Sequence, residues 1–148
     1  MVNTKKFKLK GLPEEQQEKI YLEIETSLGE NFNGIKQESK VFANYLEDEE
    51  ELITCVSANH TLSQGMLALT DKKLIFLYQK LTANIFKPEF GVIYINFADI
   101  QKIEFNLDVI NTLELDFHLL SSECIKFKRI KQGAGRKFIE MTKSVSDK

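Results

Sequence analysis

The chain has 148 residues, enough for one folded domain, with 20 Lys+Arg against 22 Asp+Glu and a formal net charge of −2. That balance argues against a general nucleic-acid binder, which carries a basic excess. At 43% hydrophobic and 28% charged residues, the composition is that of a globular domain rather than a disordered or membrane-spanning chain. Eleven Phe, four Tyr and no Trp make a core built on phenyl rings the expectation.

The N-terminal lysines Lys5, Lys6, Lys8 and Lys10 are followed by Pro13, Glu14 and Glu15 rather than by an apolar stretch, which does not fit a secretory signal. The longest apolar run, residues 74–78, is far short of the ~18 residues of a membrane span. Two cysteines, Cys55 and Cys124, make no disulfide framework, and a reducing cytoplasmic location is expected.

In chain order, residues 1–46 read as an N-terminal helical extension. Pro13 suits a first helical turn, Glu14 and Glu15 favour the positive end of the dipole, and Ile20, Ile24 and Leu28 recur at helical spacing until Gly29. Ile35, Phe42, Tyr45 and Leu46 share one face of a second helix.

From residue 52 the period becomes two. Strands are predicted over residues 52–56, 65–70, 73–79, 91–97, 100–105, 113–119 and 123–130. A looser stretch over 80–90 holds Asn84 and Pro88. The sixth strand alternates most cleanly, with Leu113, Leu115, Phe117 and Leu119 against Thr112, Glu114, Asp116 and His118. The helical period returns with Ala134, Phe138, Met141 and Val145. Seven short antiparallel strands must close or stack to hide their edges, and one amphipathic helix can plug the open end. Phe76, Phe97, Phe105, Phe117, Phe127 and Phe138 fall at inward positions. Phe7, Phe32, Phe86 and Phe90 do not, and are candidates for a contact surface.

Residues 65–76, Gly-Met-Leu-Ala-Leu-Thr-Asp-Lys-Lys-Leu-Ile-Phe, carry a family pattern. So do Glu49-Glu50-Glu51-Leu52-Ile53 upstream and the segment from Tyr94 to Glu104 downstream. Over about residues 45–145 the chain resembles the bacterial pleckstrin-homology-like (PH-like) domains of the YokE type. The resemblance implies an α+β fold: a PH-like seven-stranded antiparallel barrel or sandwich over residues 47–148, capped by the C-terminal helix. It implies a binding scaffold without catalytic residues.

Among candidate sites, residues 57–64 form the predicted loop between the first two strands. They hold no Lys or Arg, so a phosphoinositide-type cluster is not expected there. Cys55, His60, His118 and Cys124 lack tight metal-ligand spacing, and neither a metal nor another cofactor is expected. There is no G-x-S-x-G, H-E-x-x-H or P-loop, and Gly133-Ala134-Gly135-Arg136 is only a fragment of a phosphate-binding pattern, so the chain is not expected to be an enzyme.

Charge is segregated. Residues 123–148 carry a net +5, which leaves −7 on the rest. Lys126, Lys128, Arg129, Lys131, Arg136 and Lys137 could form a patch for an anionic partner, or solvated faces. Two partner readings follow. One is a protein-binding or self-associating module using the apolar strand with Ile93, Ile95 and Phe97. The alternative is a peripheral membrane protein using the basic patch and the arm from Lys5 to Lys10.

Overall fold

The computed structural model describes residues 5–81 and 86–147. Helix α1 spans Glu14–Leu28, with Pro13 at its N-cap and Gly29, at φ 67°, as the left-handed residue that ends it. Residues Asn33–Ile35 form a 3₁₀ turn, α2 is only Lys36–Val41, and a second 3₁₀ turn covers Phe42–Tyr45. The expected second helix is therefore broken. No side chain caps the N-terminal end of α2, and the segment takes its shape from docking Ile35, Phe42, Ala43 and Leu46 on the sheet, all buried.

Seven strands follow: β1 Leu52–His60, β2 Ser63–Thr70, β3 Lys73–Gln79, β4 Phe90–Asn96, β5 Ile100–Leu107, β6 Leu113–Leu119 and β7 Cys124–Ile130, then α3 Gln132–Ser146. All pairings are antiparallel, in the order β4-β3-β2-β1-β7-β6-β5. Asn84 lies outside the described residues. The predicted loop at 57–64 is mostly strand, because β1 and β2 pair out to His60 and Ser63, leaving a two-residue turn with Thr61 at φ 53°.

Strands β1 to β3 are buried on both faces: residues 52–56, 65–70 and 74–77 are all inaccessible. One face, with Phe76, meets Phe127 of β7 at a ring-centroid distance of 5.0 Å. The other, where Cys55 pairs with Ala68, Ala68 with Ile75 and Met66 with Leu77, is covered by the segment before β1. Leu9, Tyr21, Ile24, Leu28, Phe32 and Ile35 share one core with the sheet. Phe32 thus belongs to the core rather than to a contact surface. Phe7 does too: its N–H donates to Leu52 O and its carbonyl accepts from the Leu52 N–H, at 2.7 and 2.8 Å, so the arm adds a short rung to β1. Phe90 is half-buried against the same core, and Phe86 is exposed.

Gly65, the first residue of the motif, sits opposite Tyr78 where β2 pairs with β3. A Cβ there would lie 2.5 Å from Leu77 O, 2.8 Å from Phe76 Cζ and 2.9 Å from Tyr78 Cβ. Two of these are backbone or near-backbone atoms that cannot swing away. Gly65→Ala is expected to cost about 2–3 kcal/mol by overpacking. The check is a lower urea midpoint at unchanged slope, and an unchanged midpoint would contradict the close approach.

Candidate functional site

The six cations of the predicted patch are all exposed, and each also has a partner within the chain. Lys131 Nζ donates to Gly29 O at 2.6 Å and Lys137 Nζ donates to Ser27 O at 2.9 Å. These carbonyls belong to the C-terminal end of α1, which lacks intrahelical donors and carries the negative end of the dipole. The two lysines clamp α1 to α3. Arg136 lies over the Phe105 ring at 5.5 Å, which explains why Phe105, expected inward, is instead partly exposed under a guanidinium.

On β7 the remaining three each face an acid on the neighbouring hairpin. Lys126 is 3.3 Å from Asp116, Lys128 3.9 Å from Glu114 and Arg129 3.1 Å from Asp108. Arg129 has a φ of 61°, at the point where the β6–β7 register shifts. That bulge turns its side chain toward the β5–β6 loop. There Asp108 accepts from the N–H groups of Ile110 and Thr112 and from Thr112 Oγ1, and its carboxyl is held below the usual range, first by the Thr112 hydroxyl. In the N-terminal arm, Lys5 pairs with Glu23, Lys8 with Glu49 and Lys10 with Asp48.

The apolar strand candidate is β4, at one edge of the sheet. Ile95, 2% exposed, points into the core opposite Leu74 and is removed from any contact. Ile93 is half-buried opposite Phe76, and Phe97 is half-buried in a 3₁₀ turn, Phe97–Asp99, beyond the strand. Val92 and Tyr94 lie on the opposite face, and Tyr94 is 47% exposed. Strand β4 pairs with β3 alone among the described residues, so its other row of backbone groups has no strand partner.

Beside this edge lies an open cleft of about 430 Å³ lined by Asn44, Tyr45, Glu47, Lys73, Tyr94 and Asn96. Lys73 sits over the Tyr94 ring at 5.6 Å and pairs with Glu47 at 2.7 Å. The two edges of the sheet differ in chemistry. The seven residues of β4, Phe-Gly-Val-Ile-Tyr-Ile-Asn, hold no charge and no proline. The opposite edge, β5, carries Lys102 and Glu104 and an irregular register between Ile100 and Lys102. Charges and bulges are the devices that keep an edge from pairing, and only β5 has them.

Of the four residues weighed as metal ligands, Cys55 is sealed in the core, where burial pushes its thiol far up, and His60 Nδ1 lies 2.9 Å from Lys126 O. Only His118 and Cys124 come together, as a cross-strand pair on β6 and β7. No helix among the described residues is long and apolar enough to cross a membrane.

Comparison with known families gives a match over residues 46–144 to a family described as bacterial PH domain. Among solved structures, the chain is similar to a pleckstrin homology domain from Shewanella amazonensis SB2B, with a TM-score of 0.53 and 16% identity over 76% of this chain and 97% of that one. It is also similar to a DUF1696 family protein with a pleckstrin-homology domain from Shewanella loihica PV-4, with a TM-score of 0.50 and 15% identity over 76% and 91%. At these identities the likeness concerns the fold. A comparison with curated proteins finds no match.

Proposed function

This chain belongs to the bacterial PH domain family, and we propose that it is a non-enzymatic binding module that pairs with protein through the β4 edge, a second copy of itself included. The observation that carries this reading is the contrast between the edges: β4 is uncharged, seven residues long and paired on one side only, whereas β5 is blunted. An incoming extended segment would gain main-chain hydrogen bonds along β4 and contacts with Val92 and Tyr94. Two copies related by a twofold axis supply such a segment to each other without any further element. We take the Gly65 to Phe76 pattern as a YokE-type feature within the family. The free thiols Cys55 and Cys124 fit a reducing, cytoplasmic setting. The membrane alternative would use the same exposed cations, which would have to exchange their partners within the chain for lipid headgroups.

Light scattering over a concentration series tests the reading. Wild type is expected to shift from monomer mass toward dimer mass as concentration rises. Val92→Lys, which places a charge on the edge, is expected to weaken association by at least about tenfold, with its melting temperature followed alongside to separate lost pairing from lost folding. A monomer at every concentration, or association by Val92→Lys equal to that of wild type, would overturn self-pairing at β4.

A further inference from the structure

The outer face of the β5–β6–β7 sheet gathers a set of metal-binding groups that no sequence spacing announces. Asp116 and His118 stand two apart on β6, on the same face, and Cys124 pairs across from His118 on β7. One carboxylate oxygen of Asp116, one imidazole nitrogen of His118 and the Cys124 sulfur all lie within 4.8 Å of one another. From the third strand, Glu104 Oε1 approaches His118 Nε2 to 2.6 Å.

A second observation points to an occupant. Asp116 is only 7% exposed, and its Oδ1, buried, has no hydrogen-bond partner. A carboxylate oxygen buried without a donor is an unfavourable arrangement that a bound cation would relieve. Its other oxygen faces Lys126 Nζ at 3.3 Å.

We propose that Asp116, His118 and Cys124, with Glu104 beside them, form a site for a divalent transition metal of the Zn²⁺ type. A mixed sulfur, nitrogen and oxygen set suits Zn²⁺ or Co²⁺ rather than Mg²⁺ or Ca²⁺, which take oxygen ligands. Tetrahedral bonds of about 2.0–2.3 Å place ligand atoms about 3.3–3.8 Å apart, so closing the site takes rotamer adjustments of about an ångström rather than a backbone change. The cation takes the place of the Cys124 proton, which leaves to solvent, and competes with Lys126 for Asp116. The three side chains come from the β6–β7 hairpin, which the ion would staple, and Glu104 comes from the neighbouring β5.

Titration of the reduced full-length chain with Zn²⁺ by calorimetry, and with Co²⁺ by absorption spectroscopy, tests the site. One equivalent is expected to bind, with the thiolate-to-cobalt charge-transfer band and the intense visible bands of a tetrahedral ion. Cys124→Ser is expected to abolish the charge-transfer band, and both it and His118→Gln are expected to weaken Zn²⁺ binding by at least about 100-fold. Lys126→Met, which frees Asp116, is expected to tighten binding by about tenfold, a gain that loss of folding cannot mimic. A charge-transfer band that persists in Cys124→Ser, binding unchanged in His118→Gln, or no binding by wild type would each overturn the proposal.

Discussion

Truncating Phe127 to alanine is expected to cost about 4 kcal/mol of unfolding free energy, within the range for deleting a buried phenyl ring. Phe127 lies on β7, is fully buried, and sits where the two halves of the sheet face each other. Its ring centroid is 5.0 Å from that of Phe76 on β3, 5.8 Å from Phe117 on β6 and 5.4 Å from His60 at the end of β1. Backbone pairing between β1 and β7 is sparse, a single register pair at Asn59 and Lys128. The ring contacts therefore carry much of the closure, and the cavity left by alanine is walled by strands that cannot all move inward. For a chain of this size the loss corresponds to a melting temperature lower by about 8–16 °C. Lys128→Ala, one residue on and exposed, should change stability by less than about 0.5 kcal/mol. A Phe127→Ala loss below about 1 kcal/mol would mean that this ring cluster does not hold the halves together.

The elements whose side chains alternate against one core are legible in the sequence. Strand β3 occupies residues 73–79 and β6 residues 113–119, as the period of two indicates, and Gly29 ends α1 where a left-handed residue is expected. Strand β1 runs past its predicted end at residue 56. Ser57, Asn59 and His60 are polar, yet they pair with β2, and the turn needs only Thr61 and Leu62. Phe32 reads as peripheral because its burial depends on a sheet whose outer face is also apolar, a fact of packing rather than period. The site is less legible. A run of lysines and arginines gives a charge sum, but nothing local indicates that Lys131 and Lys137 meet carbonyls 102 and 110 residues earlier. Likewise β4 reads as an apolar strand, whereas its place at an edge follows from strand order. Asp116 stands two residues from His118 on β6, but Cys124 and Glu104 reach His118 only through cross-strand register, which a spacing motif does not encode.

Removing the Glu50 carboxylate is the second large effect expected, about 3–4 kcal/mol for Glu50→Ala, because it breaks a buried ion pair from one side. Glu50 is 0% exposed. Its Oε2 accepts from Thr70 Oγ1 at 2.5 Å, and its Oε1 accepts from Lys73 Nζ at 3.2 Å and from the Glu47 N–H at 3.0 Å. Thr70 Oγ1 in turn accepts from the N–H groups of Lys72 and Lys73, and Asp71 Oδ1 accepts from the Glu51 N–H. The Leu-Thr-Asp-Lys-Lys motif is thus a lock that ties the β2–β3 turn to the acidic lead into β1, and it sets Lys73 beside the Tyr94 cleft. Lys73→Met should cost a similar amount by stranding the Glu50 charge, since the lysine side chain is only 12% exposed. The double variant Glu50→Ala with Lys73→Met should lose clearly less than the sum, because neither charge of that pair is left facing the other's absence. pH supplies an independent signature. Burial lowers the Lys73 pKa, but the hydrogen bonds and charges of Glu47 and Glu50 outweigh it, and the net shift is upward. A raised folded-state value contributes stability that is fully present below the unfolded pKa of about 10.4 and is lost as pH rises through the folded value. Urea midpoints followed into that alkaline range should therefore fall more steeply for wild type than for Lys73→Met. Additive single and double losses, together with parallel alkaline limbs, would show that Glu50 and Lys73 act independently and that the motif is not a lock.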